Sequence, residues 1–235
     1  MNSNDYWRDL DFILEPLVKN GFVKLPSLEV FNLDATANSI NAEMKGGTFA
    51  ESCSSHKLFL EDLDLDNTLT PKLFEIAKNE LGYKGKISNQ YHIARRVDPG
   101  NSIEMFRAHF DSHLFTMVLP IKIPVAQDSG TVGDLIYFPN ARKSPTNEIS
   151  NAFGKVAHKR FASKEGLEVF AKSHNQITDD FSDYSPLLFV GNTTLHTNKQ
   201  VSQDCSSYRL TLLAHFFDPS PRYGVGGMLR MLRNR

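Results

Sequence analysis

Arg107-Ala108-His109-Phe110-Asp111-Ser112-His113-Leu114-Phe115-Thr116-Met117-Val118-Leu119-Pro120 is the stretch that decides the fold. It reads as extended chain. Successive side chains of a strand point to opposite faces, so His109, Asp111 and His113 share one face while Phe110 and Ser112 take the other. Residue types that ligate metals, placed on one face, can hold a cation. Two neutral imidazoles with one carboxylate form the facial donor set of non-haem iron(II) sites, which leaves positions open for substrate and oxygen. His109 and Asp111 supply two donors. His113, of the same parity, either replaces His109 or lines the pocket, and the remaining donor must come from another part of the chain.

Outward from this stretch the periodicity is two. Short apolar runs over residues 87–97, 103–111, 114–123, 134–138, 187–190, 193–197 and 208–217 are separated by turn residues such as Asp98-Pro99-Gly100-Asn101 and Asp128-Ser129-Gly130. The first third is helical instead. Apolar stripes run over residues 4–20, which Asn20-Gly21 closes and Pro16 kinks, over 34–44, and over 71–81, where Pro71 suits the first turn and Gly82 the end. Gly21-Phe22-Val23-Lys24-Leu25-Pro26 reads as a short strand between the first two. Helices first and strands after predict an α+β, mainly β fold: a double-stranded β-helix, or jelly-roll/cupin-like barrel, buttressed by N-terminal helices. A single domain is expected, with a helical buttress over 1–85, a jelly-roll core over 86–219 and a basic tail over 220–235. Residues 140–185 are a polar, lid-like insertion with a helical pattern at 164–173, because long connections in compact domains tend to be lids or binding loops. The run Glu61-Asp62-Leu63-Asp64-Leu65-Asp66 lacks the glycine and terminal glutamate of a calcium loop and reads as a solvated loop.

The 235 residues are 40% hydrophobic and 23% charged, which is enough to bury a core. A formal net charge of -1 gives no general signal for nucleic-acid binding. No run approaches the ~20 apolar residues of a membrane span. Cys53 and Cys205 are expected to be free thiols of a soluble cytoplasmic protein.

The third donor should sit on a late strand. His196, in Asn192-Thr193-Thr194-Leu195-His196-Thr197, follows the apolar run Leu187-Leu188-Phe189-Val190 and is the best candidate. Arg209 then lies on the apolar strand Ser207-Tyr208-Arg209-Leu210-Thr211-Leu212-Leu213, with Thr211 on its face. A guanidinium beside a hydroxyl can grip one end of a dicarboxylate while the other end chelates a metal, which points to 2-oxoglutarate. Arg209 can alternatively pair with Asp204 or Asp218. Arg107 shares the parity of His109, and Arg95, Arg96, Arg142 and Lys143 lie near the expected rim. These cations suit a small-molecule substrate bearing a carboxylate or phosphate. The tail mixes Met228, Leu229, Met231 and Leu232 with Arg222, Arg230, Arg233 and Arg235, a terminal helix that packs, frays or offers an amphipathic surface.

Taken together, His109-x-Asp111, Phe115-Thr116, Gly130 with Leu135, His196 and Arg209-x-Thr211 resemble the iron(II)/2-oxoglutarate-dependent dioxygenases over residues 86–219. The helical first third and the strand entry at Gly21-Phe22-Val23-Lys24-Leu25-Pro26 are most similar to phytanoyl-CoA-hydroxylase-like members, although the Asp111-to-Thr116 spacing also resembles the isopenicillin-N-synthase-like branch. The resemblance implies iron bound by His109, Asp111 and His196, and 2-oxoglutarate bound by Arg209 and Thr211. It further implies O2 as oxidant, succinate and CO2 as by-products, and hydroxylation, desaturation or cyclisation of the substrate. A carboxylate at Asp111 argues against halogenation, since related halogenases keep a small residue there. The Asp-to-His interval is longer than the family's usual one, as the insertion explains. No single residue before His109 marks the second co-substrate contact; Tyr91, Gln90 and Thr116 are the candidates, and Arg107, His113 and Arg95 are candidates for contacting substrate. Two other classes fit the same residues. A cupin-type metalloenzyme without a keto acid predicts that Arg209 points away from the metal, and a non-catalytic ligand-binding jelly roll predicts that His109 and Asp111 diverge.

Overall fold

The computed structural model describes residues 3–219 apart from 52, 103–104, 128–129, 146–160 and 162. Its helices are α1 (Ser3–Tyr6), α2 (Leu10–Asn20), α3 (Leu33–Met44), α4 (Ser54–Asp62), α5 (Leu69–Asn79) and α6 (Lys164–Ala171). Its strands are β1 (Phe22–Lys24), β2 (Phe49–Ala50), β3 (Gln90–Val97), β4 (Phe115–Lys122), β5 (Leu135–Phe138), β6 (Ile177–Asp179), β7 (Leu187–Val190), β8 (Leu195–Asn198) and β9 (Arg209–Phe216). Two antiparallel sheets result. The larger has the order β1-β7-β4-β9-β3-β2 and the smaller the order β6-β5-β8. The architecture is a double-stranded β-helix backed by helices.

Alternation along the central strands sorts side chains between two compartments. Phe115, Met117, Leu119 and Ile121 of β4 and Leu210, Leu212, Ala214 and Phe216 of β9 join Leu17, Leu28, Ile40 and Leu69 of the N-terminal segment in the main core. Residues of the opposite parity face the space between the sheets. There Val118 and Leu187 meet Leu135 and Tyr137 of the smaller sheet, and Phe189 and Phe181 complete the cluster. The outer face of the smaller sheet is covered by α6, whose Leu167 and Phe170 pack on Ile136, Phe138 and Leu195. Ser163 caps α6 by accepting from the Gly166 N–H at 3.1 Å.

Several expectations change at element level. The first helix is broken at Trp7-Arg8-Asp9, and α2 ends as expected at Gly21, which is left-handed at φ 81°. Residues 54–62 form a helix that the apolar pattern did not announce, because only His56, Phe59 and Leu60 are buried on it. The acid-leucine run is not simply solvated: Leu63 and Leu65 are core residues, and the Trp7 indole donates to the Leu63 carbonyl at 2.7 Å. Residues 105–114 are not a strand but bends and turns around one isolated bridge at His109. The stretch 140–185 does not stay outside the sheets, since Ile177–Asp179 returns as the edge strand β6 beside β5. Part of that stretch, the turn residues Asp128 and Ser129, and the basic tail lie outside the described residues. Among those described, no helix is long and apolar enough to cross a membrane.

Candidate metal centre and its cavity

His109 and His196 face each other across a reciprocal backbone pair, each N–H donating to the other's carbonyl at 3.1 Å. In an antiparallel ladder this pairing puts the two side chains on the same face, and the ring centroids are 4.4 Å apart. Asp111 reaches the pair from the following bend, where its N–H donates to the Gly191 carbonyl at 3.1 Å. Its Oδ1 lies 3.6 Å from His109 Nε2 and its Oδ2 3.7 Å from His196 Nε2. One donor atom from each of the three residues falls within 4.8 Å of the others. A cation about 2.1 Å from each donor needs mutually adjacent donors about 3 Å apart, so small side-chain adjustments suffice. Both rings present Nε2 to this point, with Nδ1 turned to a carbonyl: Arg107 for His109 at 2.8 Å and Thr194 for His196 at 3.2 Å. That outer contact fixes the tautomer that leaves Nε2 a lone pair.

Electrostatics fit a cation. Burial alone would raise the Asp111 carboxyl, but His196, His109 and His215 around it hold it well below the usual carboxylate range. Burial pushes the His196 imidazole down to about 4, so it is neutral and able to ligate at pH 7. His109 is the open side of the site, its side chain 57% exposed; desolvation is outweighed by Asp111, and its pKa is raised.

The three donors line a cavity of about 510 Å³ that also takes in Arg209 and Thr211. Arg209 is 4% exposed and sits 5.4 Å from the Phe181 ring centroid, with Nη1 donating to the Gly133 carbonyl. Its Nε has no hydrogen-bond partner, and among the described residues no carboxylate pairs with it, neither Asp204 nor Asp218. Desolvation, with Arg95 nearby, brings its pKa down to about 9. Gly133, at φ 84°, is required here, because a Cβ would lie 2.8 Å from Val201 Cγ2 and 3.1 Å from Arg209 Cδ.

Other expected site residues divide. Arg95 and Arg107 line the cavity, and Arg95 Nη1 donates to Asn198 Oδ1 at 2.9 Å. Thr116 lines it too, but its hydroxyl donates to Asp111 Oδ2 at 2.5 Å and so serves the carboxylate. His113 does not join the donors; its ring stacks on His215 at 5.1 Å, because the chain bends after Asp111 and strand parity no longer applies. Gln90 faces away from the cavity and donates to Asp66 at 3.3 Å. Tyr91, at the far end of β3, turns its hydroxyl to Glu51 at 2.5 Å and lies outside the cavity. Arg96 binds Asp98, Arg142 donates to the Asn192 carbonyl, and Lys143 is exposed; none of them lines the cavity. His215 is a site residue that residue type and spacing alone do not single out. It faces the cavity with Nδ1 3.9 Å from Asp111 Oδ2, and its parity with Arg209 and Thr211 on β9 is the signal that could have found it.

Fold and side-chain placement together define a double-stranded β-helix protein in which His109, Asp111 and His196 form a candidate cation site beside a buried arginine. No protein-family model matches the sequence, and no curated protein matches it. Solved structures are similar in fold. A prolyl hydroxylase from Trichoplax adhaerens, in complex with a hypoxia-inducible-factor oxygen-degradation-domain peptide, has a TM-score of 0.54 at 14% identity over 93% of each chain. A Pseudomonas putida prolyl-4-hydroxylase has 0.50 at 12%, covering 88% of this chain and 98% of its own. The non-haem α-ketoglutarate-dependent epimerase SnoN from nogalamycin biosynthesis has 0.51 at 13%, covering 90% and 84%.

Proposed function

We infer that the chain is an iron(II)- and 2-oxoglutarate-dependent oxygenase that hydroxylates a small molecule, with desaturation or cyclisation as variants of the same chemistry. The observation that carries this reading is Arg209: a buried guanidinium with an unsatisfied Nε, in the cavity that holds His109, Asp111 and His196. A buried unpaired cation is costly, and a bidentate carboxylate relieves that cost. Such an arginine favours a keto-acid co-substrate over a cupin-type site, and the convergence of His109 with Asp111 disfavours a metal-free ligand binder.

His109, Asp111 and His196 would hold the iron, whose redox chemistry with 2-oxoglutarate and O2 supplies an oxidant able to take hydrogen from carbon. Arg209 and Thr211 would orient the keto acid from the β9 side of the cavity. Val118, Leu135 and Leu213 form an apolar wall that keeps water from the reacting centre. Substrate would enter past exposed His109, where Arg95 and Arg107 suit an anionic group. The fold neighbours include hydroxylases and an epimerase, so assignment to phytanoyl-CoA-hydroxylase-like enzymes rests on the helical first third and the β1 entry alone.

The test is iron-dependent consumption of 2-oxoglutarate by the purified protein. Asp111→Ala should abolish turnover, and Arg209→Ala should mainly raise the 2-oxoglutarate requirement. Unchanged kinetics in both variants would overturn the site. Screening small molecules by mass spectrometry for a gain of one oxygen identifies the substrate.

A further inference from the structure

Asp111 is fixed by groups outside the His-Asp-His set. The Thr116 hydroxyl has one proton and gives it to Asp111 Oδ2 at 2.5 Å. His215 Nδ1 lies 3.1 Å from the same Thr116 oxygen, so in that contact the ring nitrogen has to donate and the hydroxyl accept. The His215 ring is itself held by stacking with His113 at 5.1 Å and Tyr91 at 5.9 Å. Gly191 supplies the room: a Cβ there would stand 2.8 Å from Thr116 Oγ1 and 3.1 Å from Asp111 Cβ, which would separate the two.

We propose that Thr116, oriented by His215 and given space by Gly191, is a positioning residue that keeps Asp111 a donor through one oxygen only. The proposal rests on the metal-centre reading above and goes beyond it. A carboxylate with both oxygens free can bind a cation through both. Here that second oxygen would take a position which, with two imidazoles and a chelating keto acid present, is the last one open. A hydrogen bond to Oδ2 occupies one of its lone pairs and weakens it as a donor, which favours Oδ1, the oxygen turned towards His109 Nε2, as the ligand.

Titration of the apoprotein with Co(II), followed by its visible absorption, tests this without turnover. Thr116→Val should weaken Co(II) binding about ten- to a hundredfold and change the band pattern, whereas Thr116→Ser should stay within about threefold of wild type. Gly191→Ala should follow Thr116→Val. His215→Phe keeps the stacked ring but has no Nδ1–H, and should show the same band change with Thr116 intact, which decides the matter even if Thr116→Val does not fold. Wild-type affinity and spectrum in Thr116→Val, or in His215→Phe, would overturn the positioning role while leaving the centre in place. A wild-type protein that binds no Co(II), like Asp111→Ala, would instead overturn the metal-centre reading itself.

Discussion

Arg209 is the residue at which sequence and site meet most directly, because burial makes its charge costly unless an anion arrives. Geometry as well as charge matters there. A guanidinium offers a planar fork, and a lysine offers a single point charge in the same volume. Arg209→Lys is therefore expected to raise the KM for 2-oxoglutarate about tenfold or more while changing kcat less, the loss of one charge-assisted hydrogen bond being about 1.5–3 kcal/mol. Steady-state kinetics in the keto acid check it. Gly133→Ala should act on the same parameter from behind, since its Cβ would press on Arg209 and its backbone is left-handed. A stability loss of about 1–2 kcal/mol should accompany the KM change, read from urea midpoints. That His109, Asp111 and His196 come together, and that Arg209 and Thr211 share their cavity, was legible from residue type and spacing. His215 was passed over because a lone histidine on an apolar strand has no pattern of its own; it becomes informative only when strand parity is counted from Arg209.

At the scale of elements, helix-facing and cavity-facing positions of one strand carry different consequences. Leu212 is fully buried against the helices, three residues from Arg209 and on the opposite face of β9. Leu212→Ala should cost about 2–5 kcal/mol of stability, seen in the urea midpoint, with the Co(II) affinity of the folded protein unchanged. The packing of α4 on β3 adds a pH dependence. His56 of α4 and His92 of β3 lie with ring centroids 6.2 Å apart, and burial pushes each imidazole down to about 4 from an unfolded value near 6.5. Both are neutral in the fold. As pH falls from about 6.5 to 4 the unfolded chain takes up protons that the folded one refuses, so stability is full above 6.5 and lost across that window. His56 alone accounts for about 3 kcal/mol of that loss, and His56→Leu should flatten the curve of urea midpoint against pH between those limits. Strand existence was legible from short apolar runs bounded by turn residues, as β3, β4, β7 and β9 show. The bend through residues 110–114 was not, because its sequence alternates like a strand, and only the tertiary hydrogen bonds of Asp111 and Leu114 to Gly191 and Phe217 turn it.

For the whole molecule, binding at the cavity should couple to global stability, since a ligand that binds only the folded state adds its binding free energy. Co(II) at a hundred times its Kd should add about 2.7 kcal/mol, or about 5–10 °C in Tm for a chain of this length. Addition of 2-oxoglutarate should add a second increment only when the cation is present. Asp111→Ala should show neither increment and Arg209→Ala the first without the second, and a chelator should reverse both in thermal melts. The amino-acid sequence by itself determined the order of helices before strands, the two-residue alternation that makes a double-stranded β-helix, and the residue types able to bind a cation and an anion. These are local properties, set by side-chain chemistry and by the periodicity of the backbone. Only the tertiary structure decided that β8 lies beside the bridge at His109, which of the eight histidines face one another, and that the glycines at 133 and 191 leave room for Arg209 and Thr116. Those outcomes depend on pairings between segments far apart in the chain, and the register of such pairings is fixed by burial of whole faces, not by any stretch alone.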